Sequence, residues 1–273
     1  MDVLRLIIYG NYLIAFSAGF LAMSFAKHLG NNSEVEVFLT VFFATLGTYN
    51  FQRIPRLNEV LESSSPRHVW LNRFKPLVFI NAITGLLGAG VLYFFVLEPK
   101  NDFIFLFVLF LLSIFYALKL FGGSALRDLP FIKIHLIAFV WLLVCFVWPL
   151  VRIESNLGSY IEPGLSLYLF ILALTIPFDI RDLYYDEESK KTIPQLIGVQ
   201  GSKYFALLFL LSAFVLILIY DQKFIYNVFF WISFFGGAAL IYFSNTQRKE
   251  MYFSGLIDGW ILFYGCMFYY QQV

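Results

Sequence analysis

Phe103-Ile-Phe-Leu-Phe-Val-Leu-Phe-Leu-Leu-Ser-Ile-Phe-Tyr-Ala-Leu118 carries no charge, and a single serine interrupts its apolar and aromatic side chains. It shows neither the alternation of a half-buried strand nor the polar stripe of a helix on a water-solvated core. A run of this kind needs an apolar surrounding on every side, and the bilayer is the simplest one. The rest of the chain repeats the pattern. Of its 273 residues, 60% are hydrophobic, 21% aromatic and 14% charged, whereas a soluble domain carries about 25% charged residues. The expectation is an all-α, polytopic membrane protein.

A span needs about 20 apolar residues. Nine stretches qualify: 3–25, 35–51, 76–97, 103–121, 131–151, 161–178, 204–220, 226–243 and 254–270. The first is too long for a signal-peptide core and has no small-residue cleavage site behind it, so it is read as a retained span. No Pro- or Ser-rich linker separates the blocks, which makes 1–273 one membrane domain. The connections after the second, fourth, sixth and eighth spans hold 14 of the 19 Lys and Arg, and the opposite connections hold four. The positive-inside rule then puts the N-terminus and the basic connections in the cytoplasm, and the expected residence is the plasma (inner) membrane. A net charge of +1 gives no ground for a nucleic-acid partner. Cys145 and Cys266 lie inside apolar blocks, which suits packing and gives no metal signature.

Two connections, 52–75 and 179–203, are long and polar, and chemistry is expected there. They occupy matching places in two four-span halves, a hint of an internal repeat. In Asp179-Ile-Arg-Asp182-Leu-Tyr-Tyr-Asp186 the acids stand at i, i+3 and i+7, so a helix would stack three carboxylates on one face. Such acids repel unless a cation lies between them. Mg²⁺ suits the pattern, because it takes a few carboxylate oxygens, keeps waters and bridges to phosphate. Lys190 and Lys191 would add phosphate contacts. The alternative is a solvated helix end whose acids pair with Arg181 and the lysines. Pro177, just before the acids, predicts a kink or break.

That segment, continued by Lys191-Thr192-Ile193-Pro194 and Leu196-Ile197-Gly198, resembles the second aspartate-rich motif of the UbiA superfamily of intramembrane prenyltransferases. The superfamily motif reads roughly Arg-Asp-x3-Asp, then Lys-Thr-Leu-Pro and Leu-Gly. Tyr116-x2-Lys119 is similar to the family's Tyr-x-x-Lys element, and Asp258-Gly259 to its late Asp-Gly. The resemblance covers essentially the whole chain and implies a helical bundle with its site between the polar loops after spans 2 and 6. It also implies an isoprenoid diphosphate held through Mg²⁺, whose ionisation gives a carbocation that an acceptor captures.

The first motif departs from the family. Where Asn-Asp-x2-Asp-x3-Asp is expected, the chain reads Tyr49-Asn50-Phe51-Gln52-Arg53-Ile54-Pro55-Arg56-Leu57. Asn50 matches, the acids do not, and Arg53 and Arg56 bring positive charge. Guanidinium groups can replace part of a metal's charge compensation at a phosphate. They are also the basic residues expected to flank any cytoplasmic span end. The expected set is therefore Asp179, Asp182 and Asp186 as catalytic groups, with Asp182 and Asp186 as Mg²⁺ ligands. Asn50, Arg53, Arg56, Lys119, Arg181, Lys191 and Asn11 are the expected substrate contacts.

Asn11 and Asn81, inside spans 1 and 3, must find hydrogen-bond partners. His135 reads as a buried hydrogen-bonding residue rather than a ligand. The 34 Phe, 17 Tyr and 5 Trp suit an isoprenoid tunnel and equally suit interfacial belts. Two readings stay open. One is a divergent prenyltransferase acting on a phosphate-bearing lipid. The other is a non-catalytic relative that binds lipid or supports protein partners in a membrane complex. A transporter fits less well, since the acids lie at one membrane face rather than at the midplane.

Overall fold

The computed structural model describes residues 3–57, 66–97, 102–117, 126, 129, 132–153, 157–184 and 191–271, and among these every regular element is helical. In chain order the α-helices are α1 (Val3–Tyr9), α2 (Tyr12–His28), α3 (Glu34–Phe51), α4 (Pro66–Arg73), α5 (Lys75–Val91) and α6 (Phe103–Ala117). They continue with α7 (Ile132–Leu142), α8 (Trp148–Arg152), α9 (Ile161–Asp182), α10 (Ile193–Tyr220), α11 (Val228–Tyr242) and α12 (Asp258–Tyr269). π-helical turns extend α5 over Leu92–Leu97, join α7 to α8 over Leu143–Val147, and lead into α12 over Tyr252–Ile257.

Each of the nine expected stretches holds a helix. Four helical segments are long and apolar enough to cross a membrane by themselves: Lys75–Leu97, Ile132–Arg152, Gly158–Asp182 and Ile193–Tyr220. The bent pair α1–α2 makes a fifth. The stretch 204–220 is the C-terminal part of a longer helix, α10. Pro194 sits in the first turn of α10, and Gln195 Oε1 accepts from the Thr192 N–H at 2.8 Å, so Thr-Ile-Pro reads as a helix start. Gly198 then turns the chain with φ 71° and ψ 172°, a conformation essentially reserved for glycine.

The break expected at Pro177 is absent. α9 runs through it to Asp182, since one missing N–H is tolerated in a helix packed on both sides by α7 and α10. The first span breaks instead. Asn11 takes a left-handed φ of 66°, which Asn tolerates better than most residues, and α1 and α2 meet at 58°. The carbonyl freed there, Gly10 O, accepts from Asn50 Nδ2 at 3.1 Å and from Asn81 Nδ2 at 3.3 Å. Asn81 also accepts from Tyr12 Oη at 2.8 Å. The amides inside spans 2 and 3 thus satisfy the backbone of a broken span, as a low-dielectric surrounding demands.

The core lies among α2, α7, α9, α10 and α12. Phe170 stacks on Tyr264 with centroids 4.1 Å apart, and Ser166 Oγ lies 2.7 Å from both Tyr264 Oη and Ala213 O. Small residues set the other contact. Gly47 on α3 faces Gly85 on α5 so closely that a Cβ on either would strike the other's backbone, the kind of approach that holds helices together in lipid. Gly85→Leu should therefore cost about 1–3 kcal/mol of stability. The measurement is the unfolding midpoint in detergent, and an unchanged midpoint would show that this crossing contributes nothing.

Candidate functional site

The C-terminal end of α3, the ends of α6 and α9 and the start of α7 converge on one cavity of about 300 Å³. Arg53, Lys133, Asp179, Arg181 and Asp182 line one part of it, at or just beyond these helix ends. Ile14, Ile134, Val140, Trp141, Ile171 and Leu174 line the rest. Ile171 lies eleven residues before Asp182, about three helical turns further along α9. The cavity is therefore amphipathic along its length. The polar ends of spans 2 and 6, matched in the sequence, meet here: Arg53 and Asp182 share its wall and interact electrostatically.

The acids are already compensated. Lys133 Nζ donates to Asp179 Oδ1 at 2.7 Å, and Asp179 is buried. Arg181 grips Asp182 with two bonds, Nε to Oδ1 at 2.7 Å and Nη2 to Oδ2 at 2.9 Å. Its Nη1 donates to Glu250 at 3.0 and 3.2 Å. Phe178 and Phe253 pack against the same guanidinium, with their centroids 5.1 and 5.5 Å from its central carbon, so its plane is held by stacking as well as by charge.

Behind this pair stands Arg67, delivered by α4 from the connection between spans 2 and 3. Its Nη2 donates to Asn11 Oδ1 at 2.6 Å and its Nη1 to Ser254 Oγ at 3.2 Å. Nη1 also lies 3.6 Å from Glu250, and Ser254 Oγ donates to the same carboxylate at 2.8 Å. Burial works against the charge on Arg67, and Glu250 offsets part of that effect, so each ion is more tolerable because of the other. Asp258 completes the wall.

The expected residues separate into groups. Arg53, Asp179, Arg181 and Asp182 line the cavity. Asn50 is fully buried on Gly10 rather than on the cavity. Asn11 is fully buried behind Arg67. Lys191 is exposed at a left-handed φ of 45° ahead of α10 and lines neither this cavity nor the next. Asp186 and Lys119 lie outside the described residues, as does the side chain of Arg56. His135 is exposed, not buried, and bonds to Tyr168 Oη at 2.6 Å.

Lys133, Glu250 and Ser254 escaped the sequence reading. Nothing in their spacing separates them from ordinary polar residues at span ends; only their partners do. A second cavity of about 460 Å³, almost wholly apolar, lies across the Lys133–Asp179 pair against Leu129, Ile193, Leu196 and Phe205. The ion pair borders both cavities.

Mg²⁺ does not fit the described carboxylates as they stand. Asp179 and Asp182 spend oxygens on Lys133 and Arg181. Among the described residues no group of three His, Cys, Asp or Glu side chains is placed to hold a metal. The cavity instead presents four cations, Arg53, Arg67, Lys133 and Arg181, against three carboxylates, Asp179, Asp182 and Asp258.

No family model matches the chain, and no curated protein matches it. A solved structure described as digeranylgeranylglyceryl phosphate synthase in membranes is similar, with a TM-score of 0.57 over 98% of this chain and 99% of that one, at 18% identity. The likeness shows the fold: an all-helical bundle like that of this membrane synthase.

Proposed function

We propose that the cavity binds a phosphate-bearing isoprenoid lipid, as in a divergent prenyltransferase. The headgroup would lie among Arg53, Lys133 and the Arg181–Asp182 pair, and the chain along Ile134, Trp141, Ile171 and Leu174. The observation that supports this is the amphipathic wall of a single cavity, polar at the helix ends and apolar beyond them. The solved membrane enzyme with the same fold, named for a lipid phosphate, adds to it. In this reading nine spans carry the chain, its N-terminus and the polar connections face the cytoplasm, and the phosphate approaches from that side.

Side-chain cations take over much of the charge compensation that the family assigns to metal. A Mg²⁺ ion arriving with the lipid would have to draw Asp182 away from Arg181. Isothermal titration with a farnesyl phosphate in detergent, in EDTA and then in Mg²⁺, tests the reading. Binding in EDTA that weakens about tenfold or more in Arg53→Ala is the expected result. Binding found only with Mg²⁺ would instead return Asp182 and Asp186 to the role of metal ligands.

A second reading is a lipid-binding or scaffold subunit without catalysis. The ion pairs that occupy Asp179 and Asp182 favour it, together with the missing acids after Asn50. Absence of phosphate-lipid binding under both conditions would decide for it.

A further inference from the structure

Asp258 stands apart from the other acids of the cavity. Asp179 and Asp182 each hold a cation at 2.7 Å, and Glu250 holds Arg181, Arg67 and Ser254. Among the described residues no donor lies within hydrogen-bond distance of the Asp258 carboxyl, although it faces the cavity. Its neighbours are electrostatic only: Arg67, Arg181 and Arg53, with Glu250 as the nearby like charge.

Position explains the isolation. Glu250, Ser254 and Asp258 follow at steps of four along the last span, so they climb one face. The first two bond to each other and to Arg67, and the third lies about a turn further into the bundle. The π-helical turn Tyr252–Ile257 immediately precedes it, and such turns re-aim side chains at functional positions. The same cavity is also lined by Ile257, Ile261, Ile14 and Tyr49. Tyr49 Oη accepts from Trp141 Nε1 at 3.3 Å, which leaves its own proton for another partner.

A carboxyl group accepts hydrogen bonds when ionised and can also donate one when protonated, and leaving it unmet inside the bundle is costly. A hydroxyl, both donor and acceptor, meets either state. The three arginines around it disfavour a cation there. We propose that Asp258 recognises a neutral hydroxyl on an apolar-chain ligand, accepting its proton while Tyr49 can donate to its oxygen. This deepens the phosphate-lipid reading of the same cavity by adding a second, uncharged polar subsite beside the cationic one.

The test compares farnesol with farnesyl methyl ether, which keeps the chain and the oxygen but lacks the donor. Native mass spectrometry titrations in detergent, on the full chain and on Asp258→Ala and Asp258→Asn, give the affinities. Wild type should prefer the alcohol over the ether by about tenfold. Asp258→Ala should lose that preference, and Asp258→Asn, which keeps an acceptor, should retain part of it. Farnesyl monophosphate supplies the separate arm. Removing the negative charge of Asp258 should tighten its binding, whereas damage to the fold would weaken all three ligands. No preference in wild type, or a preference that survives Asp258→Ala, overturns the assignment. Alcohol binding without phosphate binding overturns the phosphate-lipid reading and leaves Asp258 in this role. No binding of any of the three overturns both.

Discussion

Asp102→Ala should lower the unfolding free energy by about 3–5 kcal/mol, the cost of removing one partner of a buried ion pair. Asp102 is 1% exposed, just ahead of α6. Its Oδ2 accepts from Arg152 Nη1 at 2.9 Å and from Trp148 Nε1 at 2.8 Å, and its Oδ1 accepts from Tyr93 Oη at 2.7 Å. Arg152, itself buried, also donates to Leu97 O at 2.7 Å. The cluster joins the π-helical end of α5, the start of α6 and α8. Removing the carboxylate takes one acceptor from the Arg152 guanidinium, the Trp148 indole N–H and the Tyr93 phenol inside the bundle. The double variant Asp102→Leu/Arg152→Met, which removes both ions, should recover much of the loss. Unfolding in mixed micelles measures both. A single variant as stable as wild type would show that water reaches the pair.

Arg67→Met should have the largest effect on the candidate site. It should cost about 2–4 kcal/mol of stability and weaken binding of a farnesyl phosphate by about tenfold or more. Arg67 ties α4 to the break in the first span through Asn11 and to the last span through Ser254 and Glu250. Without it Asn11 Oδ1 loses its donor inside the protein. Glu250 is left with Arg181, the cation that also holds Asp182. Arg67→Lys should not rescue either property, because one ammonium cannot span Asn11, Ser254 and Glu250 as the guanidinium fork does. A lysine variant with wild-type affinity and midpoint would show that charge alone matters at this position.

The general character of the fold was legible in the apolar runs. The run from Phe103 to Leu118 admits only a surrounding of lipid or protein, and the backbone must then satisfy itself as helix. The helix start at Thr192 and the turn at Gly198 were visible as motif residues, but not as what they are physically. The left-handed turn at Asn11 was not visible, because Asn in a span reads equally as a hydrogen-bonding side chain. At Pro177, where a kink or break was expected, α9 is not broken and runs on to Asp182. Of the site, the meeting of Arg53 with Asp182 followed from matched polar connections. Lys133 and Glu250 did not, as each belongs to a charge pattern common to every span end.

The sequence alone determined that this chain is an all-helical membrane protein with its polar residues concentrated in the connections 52–75 and 179–203. It did so because burying uninterrupted apolar segments, and satisfying their backbone, leaves few alternatives. Only the tertiary structure decided that Arg67 leaves its connection for the interior. It also decided that Asp179 and Asp182 are spent on Lys133 and Arg181, and that Asp258 faces the cavity without a donor. The physical reason is that helices apolar on all sides carry no stripe to say which face meets which neighbour. Their mutual rotation is set by small-residue contacts such as Gly47 on Gly85 and by hydrogen bonds between segments far apart in sequence.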